Sequence, residues 1–192
     1  MTLKCIKCHF CGGNHNCRFC PLEKKVAPQL KKIIGKKMEQ YVSSLPCPCC
    51  RLRSLRLLND NSPSLDIICT DNKCGKKFEV KSKCLSCKDL PDDLKINHGN
   101  YEYYLKRQEE GLDFIIVIYK VDRINKISTI RKVIHIPDID IKKNSNFNVI
   151  QKNRYCNILI KDHTIYNGIE FKKNPPQLSF KNEIKNILAL NY

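Results

Sequence analysis

The sequence predicts an α/β protein on three observations: Ile- and Val-rich strand runs, lysine-lined amphipathic helices between them, and thirteen cysteines, mostly in close pairs. Its 192 residues suffice for one hydrophobic core with a small metal-stapled appendage. Apolar residues make up 42%, the proportion of an ordinary soluble globular chain, so disorder is not the default.

Residues 1–20 are dense in cysteine, carry Gly12 and Gly13, and have almost no apolar content, so metal must supply their folding energy. From Pro28 to Ser44, Leu30, Ile33, Ile34, Met38, Tyr41 and Val42 recur at helical spacing with mostly lysine between them, and Pro46 ends the helix. Residues 47–88 hold a second cysteine group around two strand-like runs, Ser64–Cys69 and Lys77–Val80. A helix is expected over 99–110, with Tyr103, Tyr104 and Arg107, ended by Gly111. Asp113–Val121 and Ile130–Ile136 read as buried strands and Asn144–Asn153 as a polar connection. Asn157–Ile160 and Ile165–Phe171 read as shorter strands, Pro175-Pro176 as a break, and Ser179 as the opening of a last helix through Leu190. The chain thus divides into a zinc module over 1–22 and an α/β domain over 27–192.

Thirty-five Lys and Arg against 19 Asp and Glu leave a net charge of +16, which favours a polyanionic partner because each cation beside a phosphate releases condensed counterions. The cations are spread along the chain rather than set beside an apolar helix, which argues against a membrane surface. The longest apolar run, Phe114–Tyr119, is too short to span a bilayer. No secretory h-region precedes the first cysteines. With an odd number of thiols, an intracellular, reducing compartment and metal ligation are expected rather than disulfides.

The first cysteine cluster allows two zinc sites. Cys8, Cys11, His15 and Cys20 nearly reproduce a zinc knuckle, whereas Cys5, Cys8, Cys17 and Cys20 form two CxxC pairs. The knuckle is favoured because it uses the histidine. His9, Arg18 and Phe19 beside it offer stacking and phosphate contacts. In the second cluster, Cys47-x2-Cys50 and Cys69-x4-Cys74 have the spacing of a closed four-cysteine site, with Cys49 as a substitute for Cys50. Cys84-x2-Cys87 is a further pair that nothing in the sequence assigns. About two structural zinc ions follow.

Asp66 lies thirteen residues before Glu79, a hairpin-like distance, and Cys69 and Cys74 would tie that hairpin at its tip. Alternation along a strand points Glu79 and Lys81 one way and Phe78 and Val80 into the core. Two acids that hold Mg²⁺ or Mn²⁺, with a lysine to orient water or steady developing charge, are the groups phosphodiester hydrolysis requires. A solvated polar strand face is the simpler alternative. Glu-x-Lys alone is weak in a lysine-rich chain, and Asp138 with Glu170 and Lys172 is a rival constellation.

The segment Cys47-Pro48-Cys49-Cys50, Leu65-Asp66-Ile67-Ile68-Cys69, Cys74 and Phe78-Glu79-Val80-Lys81 resembles the catalytic domain of the DpnI and Dam-replacing restriction endonucleases. The likeness continues through Gly99-Asn100-Tyr101, Lys106-Arg107, the Phe114–Tyr119 strand and Arg154–Ile158. It implies a restriction-endonuclease-like core with an embedded four-cysteine zinc site. By the same likeness Asp66, Glu79 and Lys81 are catalytic, Asp66, Glu79 and Val80 hold Mg²⁺, and Cys47, Cys50, Cys69 and Cys74 hold zinc. In three respects the sequence departs from the family. Four residues rather than two separate Cys69 from Cys74, no winged-helix domain has a counterpart, and the N-terminal knuckle is an addition. The expected function is therefore Mg²⁺-dependent cleavage of DNA, with RNA as the other polyanion to consider and a homodimer as one way to cut both strands. The competing reading is a nucleic-acid-binding zinc protein, such as a transcription or packaging factor, that keeps the fold without the chemistry.

Overall fold

A computed structural model of the protein describes residues 21–58, 65–85, 93–122, 125–138, 147–152, 155–161 and 168–189. The first cysteine cluster, with Cys5, Cys8, Cys11, His15, Cys17 and Cys20, lies outside the described residues, as does Cys87.

The described elements are α1 (Pro21–Ser43), β1 (Leu55–Leu57), β2 (Ile67–Cys69), β3 (Lys77–Cys84), β4 (Leu94–Asn100), α2 (Tyr101–Glu109), β5 (Asp113–Asp122), β6 (Ile127–Ile136), β7 (Phe147–Lys152), β8 (Tyr155–Ile160), β9 (Gly168–Glu170), β10 (Gln177–Ser179) and α3 (Lys181–Ala189). The larger sheet runs β1-β2-β3-β5-β6-β10, and β9 pairs beside β10 on the free edge of β6. Only the β3–β5 pairing in it is parallel, bridged by β4 and α2. A second sheet, β4-β8-β7, is antiparallel throughout.

The larger sheet divides two cores. On one face Leu30, Ile34, Met38 and Val42 of α1, one helical turn apart, pack with Phe180 and Ile184 against Phe78, Val80, Ile115, Val117 and Val133. On the other, Phe114, Ile116, Ile118, Ile134 and Ile136 meet Leu94 and Ile96 of β4, Tyr104 of α2 and Ile158 and Ile160 of β8. β5 is buried on both sides from Asp113 to Tyr119, which is why its sequence is a continuous apolar run rather than an alternation.

Several expectations need correction. α1 starts at Pro21 rather than Pro28, so Pro28 sits inside it. A proline fits the first helical position, and Pro21 supplies that position seven residues earlier. The segment read as a polar connection contains β7, which pairs along its whole length with β8. β3 runs four residues beyond Val80. Ser179 ends β10 rather than opening the last helix, which begins at Lys181. Among the described residues no helix is long and apolar enough to cross a membrane.

Candidate active site

The loop after α1 and the β2–β3 hairpin bring four sulfurs together. Cys47 Sγ stands 3.8 Å from Cys74 Sγ and Cys50 Sγ 3.7 Å from Cys69 Sγ. A tetrahedral ion with metal–sulfur bonds of about 2.3 Å requires sulfurs about 3.8 Å apart, so the four thiols could hold a metal such as zinc. The long Cys69–Cys74 gap closes because Asp71 caps its own turn. Its Oδ1 accepts from Lys73 N and Cys74 N at 3.1 and 3.0 Å, and Gly75, at φ 54°, donates to Asp71 O at 2.9 Å. Ser54 Oγ lies 3.0 Å from Cys69 Sγ, an outer-sphere contact to the tetrad. Cys50 rather than Cys49 completes the four; Cys49 Sγ instead faces Asp113 Oδ2 at 3.8 Å.

The clip fixes the hairpin that carries the acids. Ile67 pairs with Phe78 and Ile68 with Lys77, a register that places Asp66 across from Glu79. Asp66 N donates to Phe78 O at 3.2 Å, and Asp66 Oδ2 accepts from Val80 N at 2.7 Å. Val80 meets the acid through its backbone, while its side chain packs in the α1 core. Glu79 lies on the opposite face and is only 1% exposed. Lys81 Nζ and Arg107 Nη1 both reach Glu79 Oε1. Burial pushes the Asp66 carboxyl above its ordinary range; the Glu79 charge adds to that rise, against the Val80 N–H, Lys81 and Arg107.

Asp66, Glu79 and Lys81 thus meet in one cluster, and it is not a solvated strand face, since Glu79 is enclosed. Carboxylate oxygens are hard donors suited to Mg²⁺ or Mn²⁺, and Lys81 and Arg107 balance the charge of the Glu79 carboxylate. The rival constellation does not form. Glu170 pairs opposite Lys132, six residues before Asp138, which is roughly 20 Å along a strand. Cys84 lies at the exposed end of β3, and Cys156 is buried in the second core.

Arg107 also belongs to this cluster, a role its place in the expected 99–110 helix does not by itself disclose. Asn100 caps α2, accepting from Glu102 N at 2.9 Å, and Tyr104 faces the core, stacked on Tyr101 with ring centroids 6.1 Å apart. Arg107 follows Tyr104 by three residues and shares its face, and that spacing was the available signal.

No curated protein matches the chain. The family model described as DpnI, the Dam-replacing family, matches residues 23–187, a span that includes the thiol clip, both carboxylates, Lys81 and Arg107. The chain belongs to the Dam-replacing family.

Proposed function

We propose that this protein is a Mg²⁺- or Mn²⁺-dependent DNA endonuclease in which Asp66 and Glu79 hold the catalytic metal and Lys81 acts on the attacking water. Membership of the Dam-replacing family carries the nuclease assignment. One observation supports the site: a buried Glu79 opposite a half-buried Asp66, set by a thiol-clipped hairpin, with Lys81 and Arg107 on Glu79. Bound there, the metal supplies Lewis acidity and neutralises charge developing on the phosphate. Val80 N holds one oxygen of Asp66 and leaves the other for the metal. Lys81 places a donor at the mouth of the site and stabilises charge that appears only in the transition state. Arg107 holds the Glu79 carboxylate in place. The clip is a structural zinc site, the module of residues 1–22 a second zinc-binding unit that adds contacts to nucleic acid, and the spread of basic residues supplies affinity for the phosphate backbone.

The test is single-turnover cleavage of methylated and unmethylated plasmid, with Mg²⁺ or Mn²⁺ and with EDTA. Wild type should cut with metal and stop with EDTA. Lys81→Ala should lose roughly 10²–10³-fold in the cleavage step while keeping metal and DNA affinity. Lys172→Ala, far from the acids, should cut like wild type. An inactive Lys172→Ala beside an active Lys81→Ala sinks the site assignment. Should wild type bind DNA and never cut it, the non-catalytic reading replaces the enzyme.

A further inference from the structure

We propose that Cys49, Asp113 and His135 form a second zinc-binding centre on the α1 face of the larger sheet, separate from the four-cysteine clip and from the Asp66–Glu79 site. The three come from separate elements: Cys49 from the clip loop, Asp113 from the first position of β5, and His135 from the end of β6. Their ligand atoms all lie within 4.8 Å of one another. His135 Nε2 stands 2.8 Å, and Cys49 Sγ 3.8 Å, from the same carboxylate oxygen, Asp113 Oδ2. A tetrahedral zinc with bonds of about 2.0 Å to oxygen and nitrogen and about 2.3 Å to sulfur needs separations of about 3.3–3.5 Å, reached by small rotamer adjustments.

The surroundings fix these donors. Asp113 is 1% exposed, and its other oxygen, Oδ1, is occupied by Lys76 Nζ at 3.2 Å and Asp138 N at 3.0 Å. Those two contacts turn Oδ2 toward Cys49 and His135, as outer-sphere partners do in metal sites. The His135 ring is braced edge-on against Phe78, with centroids 5.9 Å apart and planes at 68°. The donor set decides the ion. One sulfur, one imidazole nitrogen and one carboxylate oxygen suit zinc and are a poor match for Mg²⁺, which asks for oxygens alone. Binding releases the Cys49 thiol proton to solvent and leaves His135 neutral, its ring proton on Nδ1. Three protein donors leave one coordination position for water or a small ligand. His135 also lines a partly open pocket of about 230 Å³, with Val42, Pro48, Arg51 and Gly168 in its walls, so the site borders accessible space rather than packed core.

The bland alternative is a hydrogen-bonded brace that holds no metal, and the two differ in zinc content. The full-length protein is loaded with zinc, dialysed against a weak chelator and analysed for metal per chain beside Cys49→Ser and His135→Gln. Both variants should hold about one zinc fewer than wild type and keep the rest. Cys49 is exposed, so its replacement by serine does not disturb the core. Cys49→His returns a zinc donor to that position and should restore the missing ion. Equal zinc in wild type and both variants overturns the proposal. So does a loss in Cys49→Ser that His135→Gln does not share, because Cys49 would then serve another cysteine cluster. If His135→Gln fails to fold, the Cys49 pair decides: failure of Cys49→His to recover the ion lost in Cys49→Ser overturns it.

Discussion

Glu79 and Asp113 stand on opposite faces of one sheet, each 1% exposed, and adjacent pairings carry them: Phe78 with Asp113, and Glu79 with Phe114. Their company differs. Around Glu79 the neighbours are oxygen donors and strong cations, namely Asp66, Lys81 and Arg107. Around Asp113 they are a thiol, an imidazole and one lysine. The His135 hydrogen bond, followed by Asp138 N, holds Asp113 below its ordinary carboxyl range despite burial, whereas burial holds Asp66 above its own. The lesson is that burial alone does not decide a carboxylate's charge. Asp113 has partners enough to stay ionised, whereas burial of Asp66 and the acid beside it outweigh its one backbone N–H and the Lys81 and Arg107 charges.

The widest break in this contrast is Cys69→Ser. Cys69 ends the strand that follows Asp66 and belongs to the clip from which Cys49 projects, so its loss should damage both faces together. A cost above about 4 kcal/mol is expected, measured by urea denaturation with and without zinc. A variant as stable as wild type would mean that the clip holds no metal that matters to the fold.

Arg107→Ala should break one face and spare the other. It removes one of the cations on an enclosed carboxylate, a change that costs about 3–5 kcal/mol for buried pairs. In a Glu79→Gln background the same change should cost far less; equal losses in both backgrounds would show that the two residues are not coupled. Zinc content should not change.

The smallest effect concerns Asp66. Its folded pKa is raised above the ordinary 3.8, so the protonated form is the one the fold supports. That contribution is complete below the unfolded value and is lost as the pH rises through the folded one. Asp66→Asn, neutral at every pH, should therefore melt higher than wild type at pH 7 without divalent metal, by roughly 2–4 °C per kcal/mol recovered. The difference should close toward about pH 4, and saturating Mg²⁺ should reverse it by stabilising wild type alone. Identical melts at pH 7 would place the Asp66 charge in well-solvated surroundings.

Legibility followed sequence distance. The clip and the acid-bearing hairpin are readable because cysteine spacing and the thirteen-residue step from Asp66 to Glu79 are local. β5 and β6 announced themselves through runs of Ile and Val. The second sheet did not. β4 alternates Leu94 and Ile96 with Lys95 and Asn97 but shifts register after Asn97, and β7 is half polar, so neither resembles a strand until β8 pairs with both. β1 and β10, at three residues each, are too short for periodicity to register. Arg107 on Glu79 spans 28 residues, and Cys49 on Asp113 spans 64. Such contacts depend on the crossover between β3 and β5, which no local pattern encodes.

The parallel pairing of β3 with β5 also sets an order of assembly. The clip needs chain only as far as Cys74, and the hairpin only the rest of β3. The floor beneath Glu79, and Arg107 against it, wait until β4, α2 and β5 have been synthesised and the long loop has closed. During translation the chain therefore passes through a stage with its four clip cysteines and both acids present, but with Glu79 still open to water.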